Sequence, residues 1–597
     1  MRHFRLLALL LLFTALSLPA PAQRPGGGRP GGVGLGPRNG TTPGKGMSTP
    51  DLPGYFPGKH ADDEDKVEFR SDTILVQVPV VVNDKSGHHV HGLTKDNFKL
   101  FENGKEQSVT AFEEVTATHR PVVIAQFKPG QFTNVVLDRE QPRSITVIAL
   151  DTVNTPFLDQ SYARRELIKY LANNVDTGQT LALVLITGKG LKVVSGLTSS
   201  VDSLQQALKK VSGETSALES VSTDAEVAAF TGDTSNLFSP ASAASTAAAV
   251  DEFISQGDVD YAQFKQESAI ETTMQAFLGI AWSLSGIPGR KTLLWATGGF
   301  PFTMDSPSAV PGGRLSLLYE RAMQALNDSE VSIYPVDAQG LVYNGPGANI
   351  SRVPSGAAGM RQFSNRAWLM NSKQDTLRDF AEMTGGRAFY NTNDLAGAFQ
   401  RATDDASSYY MLGYYLDTKN TKPGWRELKV KQDKKDTEVR ARKGFFVTNA
   451  TMNPDTTRVN DMNFALAAPF EATSIPLLME WGAVTTLPGN SKKQVSFTLH
   501  VSGSGISVEG THNAVNLAVA AMATRPGSKK EGTVVADNVG EDIKASLKPE
   551  NLANFKSHGM AYNNKLELAP GQYSVRFVVR DNQSGRVGSV SAPITVN

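Results

Sequence analysis

Four short runs, SITVIALD (144–151), QTLALVLIT (179–187), KTLLWAT (291–297) and VSIYPVDA (331–338), are apolar almost from end to end and bounded by polar or turn-forming residues. A strand with one wet face alternates apolar and polar residues, so runs without a polar face belong to a sheet covered on both sides. The segments between them carry helical spacing. LDQSYARRELIKYLAN (158–173) puts Leu158, Tyr162, Leu167, Ile168 and Leu171 on one side, and VDSLQQALKKV (201–211), RLSLLYERAMQALND (314–328), DTLRDFAEMTGG (375–386) and NDLAGAFQRATDD (393–405) follow. Phe264, Ile270, Met274, Phe277, Leu278, Ala281 and Leu284 mark one more helix, and Gly385-Gly386 stop another as a left-handed cap does. Repeated βα units need right-handed crossovers, which put helices on both faces of a parallel sheet. The expectation for 143–406 is therefore α/β, a doubly wound, mostly parallel, Rossmann-like sheet, with the Ser-, Thr- and Ala-rich segment 213–258 inserted in it and a glycine-rich loop at 343–372.

The rest of the chain reads as β. VEFRSDTILVQVPVVVND, FKLFENGK and QSVTAFEEV alternate with period two around turns at Lys85-Ser86-Gly87 and Asn103-Gly104, predicting a small β module over 66–118. SYYMLGYYL, WRELKVKQ and TEVRARKGFFV predict an antiparallel extension over 407–448, with the Trp425–Lys431 strand pairing beside YYMLGYY. In that cluster Tyr409, Met411, Gly413 and Tyr415 fall on one strand face and Tyr410, Leu412 and Tyr414 on the other, as two-sided packing requires. Short strands from 460 to 597 predict a C-terminal β-sandwich. At 597 residues, several cores are required, because one hydrophobic core stops growing at roughly 250–300 residues.

Residues 1–22 combine Arg2 and Arg5, an apolar run from Leu6 to Leu18 and the small residues Ala20-Pro21-Ala22, the pattern of a cleaved export signal, and 23–65 is a Gly/Pro-rich linker too poor in aliphatics to fold. An exported protein, periplasmic or extracellular, is expected, with no membrane span once the signal is removed. Lys+Arg and Asp+Glu both number 59, so no net field draws the chain to nucleic acid. The absence of cysteine excludes disulfides, thiolate metal sites and cysteine nucleophiles.

Asp151 ends the first buried strand, at the edge where open α/β sheets bind ligands. The segments IALDTVNT, SIYPVDAQGL, LRDFAEMTGGRAFYNTNDL, SSYYMLGYYL and VRARKGFF, with VPVVVNDKSGHHVHGLTKDNFKLFENGKEQSVTAFEEV before them, resemble the acidobacterial von Willebrand factor type A-related domain proteins over about residues 70–447. The resemblance implies a type A-like sheet and a divalent-cation site formed by a DxSxS motif, a loop threonine and a second aspartate. Matched position by position, the motif becomes Asp151, Val153 and Thr155, and Gly298 stands where the second aspartate belongs. Thr215, Thr223, Thr231 and Thr234 are the candidates for the loop threonine. Asp151 and Thr155 are thus the remaining metal-site residues of a degenerate centre, short of the six or so oxygens that Mg²⁺ takes. Without a metal, Thr155-Pro156 matches a helix N-cap and first turn, and Asp151 faces the helix dipole.

The expected function is that of an exported, non-enzymatic binding protein mediating contacts with a protein or cell-envelope partner, without a cofactor. Two alternatives remain, a Mg²⁺-dependent adhesion module built on Asp151, and a haloacid-dehalogenase-like phosphatase, whose motif would need an acid at Val153. A second candidate place for a metal is the group His88, His89 and His91 beside the 85–87 turn. With no further ligand at obvious spacing, an exposed turn is the expectation there.

Overall fold

The computed structural model describes residues 73–116, 130–135, 145–173, 180–216, 246–300, 313–341, 357–405, 407–417, 422, 424–447, 455–486, 489, 491–508, 513–527 and 532–597. The predicted export signal, the Gly/Pro linker and positions 217–245 of the insertion lie outside these residues.

The fold is mostly β, which corrects the expectation of a doubly wound parallel α/β protein. Among the described residues there are five sheets, and four are wholly antiparallel. The α/β layer is one mixed sheet, in the order Val331–Asp337, Lys291–Thr297, Ile145–Asp151, Thr180–Thr187, Gly190–Thr198. Its first four strands are parallel and the last runs antiparallel. The local reason is the turn after Thr187, where Gly190 takes φ 103°. Two strands joined by so short a turn form a hairpin, since a parallel neighbour needs a crossover of a dozen or more residues.

Helices cover both faces of this sheet. Val147 and Ala149 pack toward Met274, Phe277 and Phe380 of the helices Thr246–Leu284 and Ala357–Thr384. Ile148 and Leu150 pack toward Leu167, Leu208 and Phe399 of Phe157–Asn173, Val201–Lys209 and Leu395–Asp404. Helical spacing located these helices but misassigned some faces. Leu158 is 78% exposed and Phe264 64%, while Ala163, Tyr170 and Ala262 are buried in their stead. Residues 246–258, read as part of the insertion, open the long helix, and 357–372, read as loop, are helical.

The segments read as a small β module and a separate extension interleave. Thr73–Asp84 lies between Ser408–Asp417 and Thr437–Ala441, with Ala111–Thr116 on the far side of Ser408–Asp417. Gly424–Gln432 pairs with Phe98–Glu102 and Gly444–Val447 in the facing sheet, so the strand containing Trp425 is not the partner of YYMLGYY. The two sheets enclose Val78, Val80, Leu100, Tyr410, Leu412 and Tyr414. Tyr409 and Met411 point the other way, toward Val81 and Val115, as period two dictates.

Arg290, fully buried, fastens this sandwich to the α/β layer. Its guanidinium donates to Ser332 Oγ (3.0 Å), Tyr334 Oη (2.9 Å) and the carbonyls of Asp405 (2.8 Å) and Gly385 (2.6 Å), and its backbone N–H donates to Tyr409 Oη (2.9 Å). A guanidinium this deep is tolerated because its N–H groups meet acceptors.

The C-terminal region forms two four-stranded sheets around Leu477, Phe497, Leu517, Val575, Phe577 and Val579. The edge strand Gln131–Thr133 comes from before the α/β layer, and sequence reading did not foresee it. The helices Asp455–Ala467 and Pro549–His558 were also unforeseen. The first is a wedge between layers: Met462 and Leu466 join the core of the long helix, and Asp461 accepts from Arg321 (2.5 Å) and Arg580 (2.8 Å).

Candidate functional site

Asp151 ends its strand at the parallel edge, and every atom of its carboxylate is engaged. Oδ1 accepts the backbone N–H groups of Val153 and Asn154 (both 3.0 Å). Oδ2 accepts Asn154 Nδ2 (2.7 Å), Trp295 Nε1 (3.0 Å) and Thr297 Oγ1 (3.1 Å). Trp295 is held in turn by edge-to-face contacts with Phe277, Phe300 and Phe380, so an aromatic core aims the indole N–H at the carboxylate. Burial pushes the Asp151 carboxyl up from its ordinary value, while the donors from Asn154, Trp295 and Thr297 pull it back.

The other positions matched to a type A cation site are spent or blocked. Thr155 Oγ1 accepts the Gly298 N–H (2.9 Å) instead of capping the following helix. Gln160, in the first turn of that helix, ties down the loop instead: its Nε2 donates to the carbonyls of Thr155 (2.8 Å) and Thr152 (3.2 Å). Val153 is buried and has no oxygen in its side chain. A Cβ at Gly298 would lie 2.9 Å from Pro156 Cδ and 3.0 Å from the Asn154 carbonyl oxygen, so a carboxylate there would displace the loop. The hydroxyl actually beside the cluster is Thr273, from the long helix, which accepts Asn154 Nδ2 at 2.9 Å. Sequence reading did not single it out, since a threonine in a helix carries no signal of a site. Of the four loop threonines considered, Thr215 is exposed, and Thr223, Thr231 and Thr234 lie outside the described residues.

A carboxylate offers about four lone-pair positions, and five donors already share those of Asp151. The donor set does not fit a hexacoordinate Mg²⁺ shell. The cavity beside Asp151, lined also by Thr155, Gln160, Arg164 and Gly213, encloses about 20 Å³, room for a water molecule and not for a substrate. A second carboxylate ends the edge strand Val331–Asp337, two strands away: burial, with Asp159 nearby, pushes the Asp337 carboxyl up to about 6. Asp337 accepts the Gln339 N–H at 3.0 Å, as a strand-end turn would have it.

The histidines beside the first turn have different company. His89 and His91 fall on either side of Val90, which donates its N–H to the Val82 carbonyl. The strand Ala111–Thr116 brings in Glu114, which sequence spacing did not suggest. Glu114 Oε1 lies 2.8 Å from His91 Nδ1 and 3.6 Å from His89 Nε2. Burial pushes the His89 imidazole below its ordinary value, so it is neutral at neutral pH. His88 turns outward, beside Asp84.

No protein-family model matches the chain, and no curated protein aligns with it significantly. Among the described residues no helix is long and apolar enough to cross a membrane.

Proposed function

We propose that the chain is an exported binding protein that contacts a protein or cell-envelope partner, without catalysis and without a cation at Asp151. One observation carries this reading: the carboxylate at the ligand-binding edge of the parallel strands is consumed by five internal donors. A phosphatase nucleophile needs a free oxygen and room for a phosphoryl group, and an adhesion cation needs open coordination positions; Asp151 supplies neither. Apolar side chains are among those the rim presents to solvent, since Phe157 and Leu158 are exposed at the start of the helix that leaves it. The export pattern of residues 1–22 and the resemblance to von Willebrand factor type A-related proteins support the same reading.

The test is affinity capture from cell-envelope extract on the immobilised mature chain. The same component should be retained with and without Mg²⁺, and Leu158→Asp should weaken retention. Capture that requires Mg²⁺, or phosphoester turnover that disappears in Asp151→Asn, would overturn the proposal.

A further inference from the structure

His89, His91 and Glu114 converge from two segments of the N-terminal sandwich, and their ligand atoms all lie within 4.8 Å of one another. The convergence is built. Tyr410 stands opposite Glu114 in the sheet, and its hydroxyl donates to the Val90 carbonyl (2.7 Å) and accepts the Leu93 N–H (3.1 Å), clamping the segment that carries both imidazoles. The His89 ring stacks on the Tyr410 ring, with centroids 5.2 Å apart. Glu114 Oε2 accepts the Gly92 N–H at 3.0 Å, which leaves Oε1 facing the two rings. Gly92 adopts φ 75°, a left-handed conformation that turns the chain back over the carboxylate.

The second, independent observation is His89 itself. Its side chain is only 9% exposed, and neither ring nitrogen has a hydrogen-bond partner. A buried polar atom without a partner costs about 1–3 kcal/mol, so such a group calls for a reason. A cation seated between the rings and the carboxylate is such a reason. Ligands at about 2.0–2.2 Å from a tetrahedral Zn²⁺ sit roughly 3.2–3.5 Å from one another. The 2.8 and 3.6 Å separations bracket that range and the third lies within 4.8 Å, so seating an ion takes shifts of about 1 Å or less. The His91 side chain is 63% exposed, leaving the outer side open for water as fourth ligand.

We propose that His89 Nε2, His91 Nδ1 and Glu114 Oε1 form a site for one borderline-soft divalent transition-metal ion, Zn²⁺ being the best fit, which ties the 88–92 segment to the Ala111–Thr116 strand. Two imidazoles and one carboxylate select for zinc-like ions over Mg²⁺ and Ca²⁺, which take shells of oxygen. The site is separate from Asp151 and does not depend on the function proposed above.

The test uses the tag-free mature chain, stripped of metal and titrated with Zn²⁺ by calorimetry and by thermal melting. One equivalent should bind and raise the melting temperature, and Mg²⁺ should do neither. His91→Ala, at an exposed position that the fold tolerates, should weaken Zn²⁺ binding at least roughly tenfold, and so should Glu114→Gln. His88→Ala should leave it unchanged. Co²⁺ should show the intense visible absorption of a tetrahedral site in the wild type and lose it in His91→Ala. Equal Zn²⁺ affinity in wild type and His91→Ala, or no binding in the micromolar range, would overturn the proposal.

Discussion

Removing the Asp151 carboxylate separates a structural role from a metal-binding one. In Asp151→Ala five donors lose their acceptor: the N–H groups of Val153 and Asn154, Asn154 Nδ2, Trp295 Nε1 and Thr297 Oγ1. Each buried donor left without a partner costs about 1–3 kcal/mol. Only Thr297 Oγ1 has an alternative acceptor, the Gly299 carbonyl, since Asn154 Nδ2 gives its other hydrogen to Thr273 already. That leaves four N–H donors with no alternative, and water entering the vacated space offsets part of the loss, for a net of about 3–5 kcal/mol. Asp151→Asn should cost less, about 2–3 kcal/mol, because one oxygen still accepts from the loop while its amide opposes the Trp295 N–H. Equilibrium urea unfolding followed by tryptophan fluorescence measures both, and the losses should be the same with and without Mg²⁺. A variant as stable as wild type to within about 0.5 kcal/mol, or a Mg²⁺-dependent stabilisation of wild type that Asp151→Ala abolishes, would refute the structural role.

Gly298→Asp supplies the carboxylate that a type A site would have, yet its Cβ meets Pro156 and the Asn154 carbonyl, so it should lower stability by about 1–3 kcal/mol and confer no Mg²⁺-dependent rise in melting temperature. The Asp337 carboxyl, raised to about 6 by burial, contributes stability that is complete below about pH 4 and is lost as pH rises through 6. Stability profiles from pH 4 to 8 should therefore fall by on the order of 2–3 kcal/mol more in wild type than in Asp337→Asn, and parallel profiles would contradict the assignment. Asp461→Ala takes the shared carboxylate from the buried Arg580, which keeps Asn582, and from the part-buried Arg321, so chemical denaturation should register a loss of about 3 kcal/mol.

Much local structure was legible in the sequence. The four unbroken apolar runs are the four parallel strands, because a run with no polar face has to be covered on both sides. Gly385 ends its helix at φ 77°, and the faces of Tyr409–Tyr415 divide as a period of two requires. Helix faces were less secure: Leu158 and Phe264 keep helical spacing with buried neighbours but are themselves exposed. Asp151 was found as a carboxylate at the ligand-binding edge, and its substitution pattern at Val153 and Gly298 already argued against a full cation shell. Its saturation by Trp295 and Thr297, 144 and 146 positions away, carried no sequence signal.

The sequence by itself determined most of the strands, where they turn and which carboxylate stands at the sheet edge, because propensity, period and turn chemistry act over a few neighbouring residues. Only the tertiary structure decided which strands pair. It placed Thr73–Asp84 against Ser408–Asp417, let Asn83 reach Asp405 across 322 positions, and so made the protein mostly β around a single mixed sheet. It also brought Glu114 to His91 across 23 positions of chain. Partner choice follows from the burial and hydrogen bonding gained by the whole molecule, while the entropy of closing a loop grows only with the logarithm of its length, so nothing within a local window can show which distant strand wins.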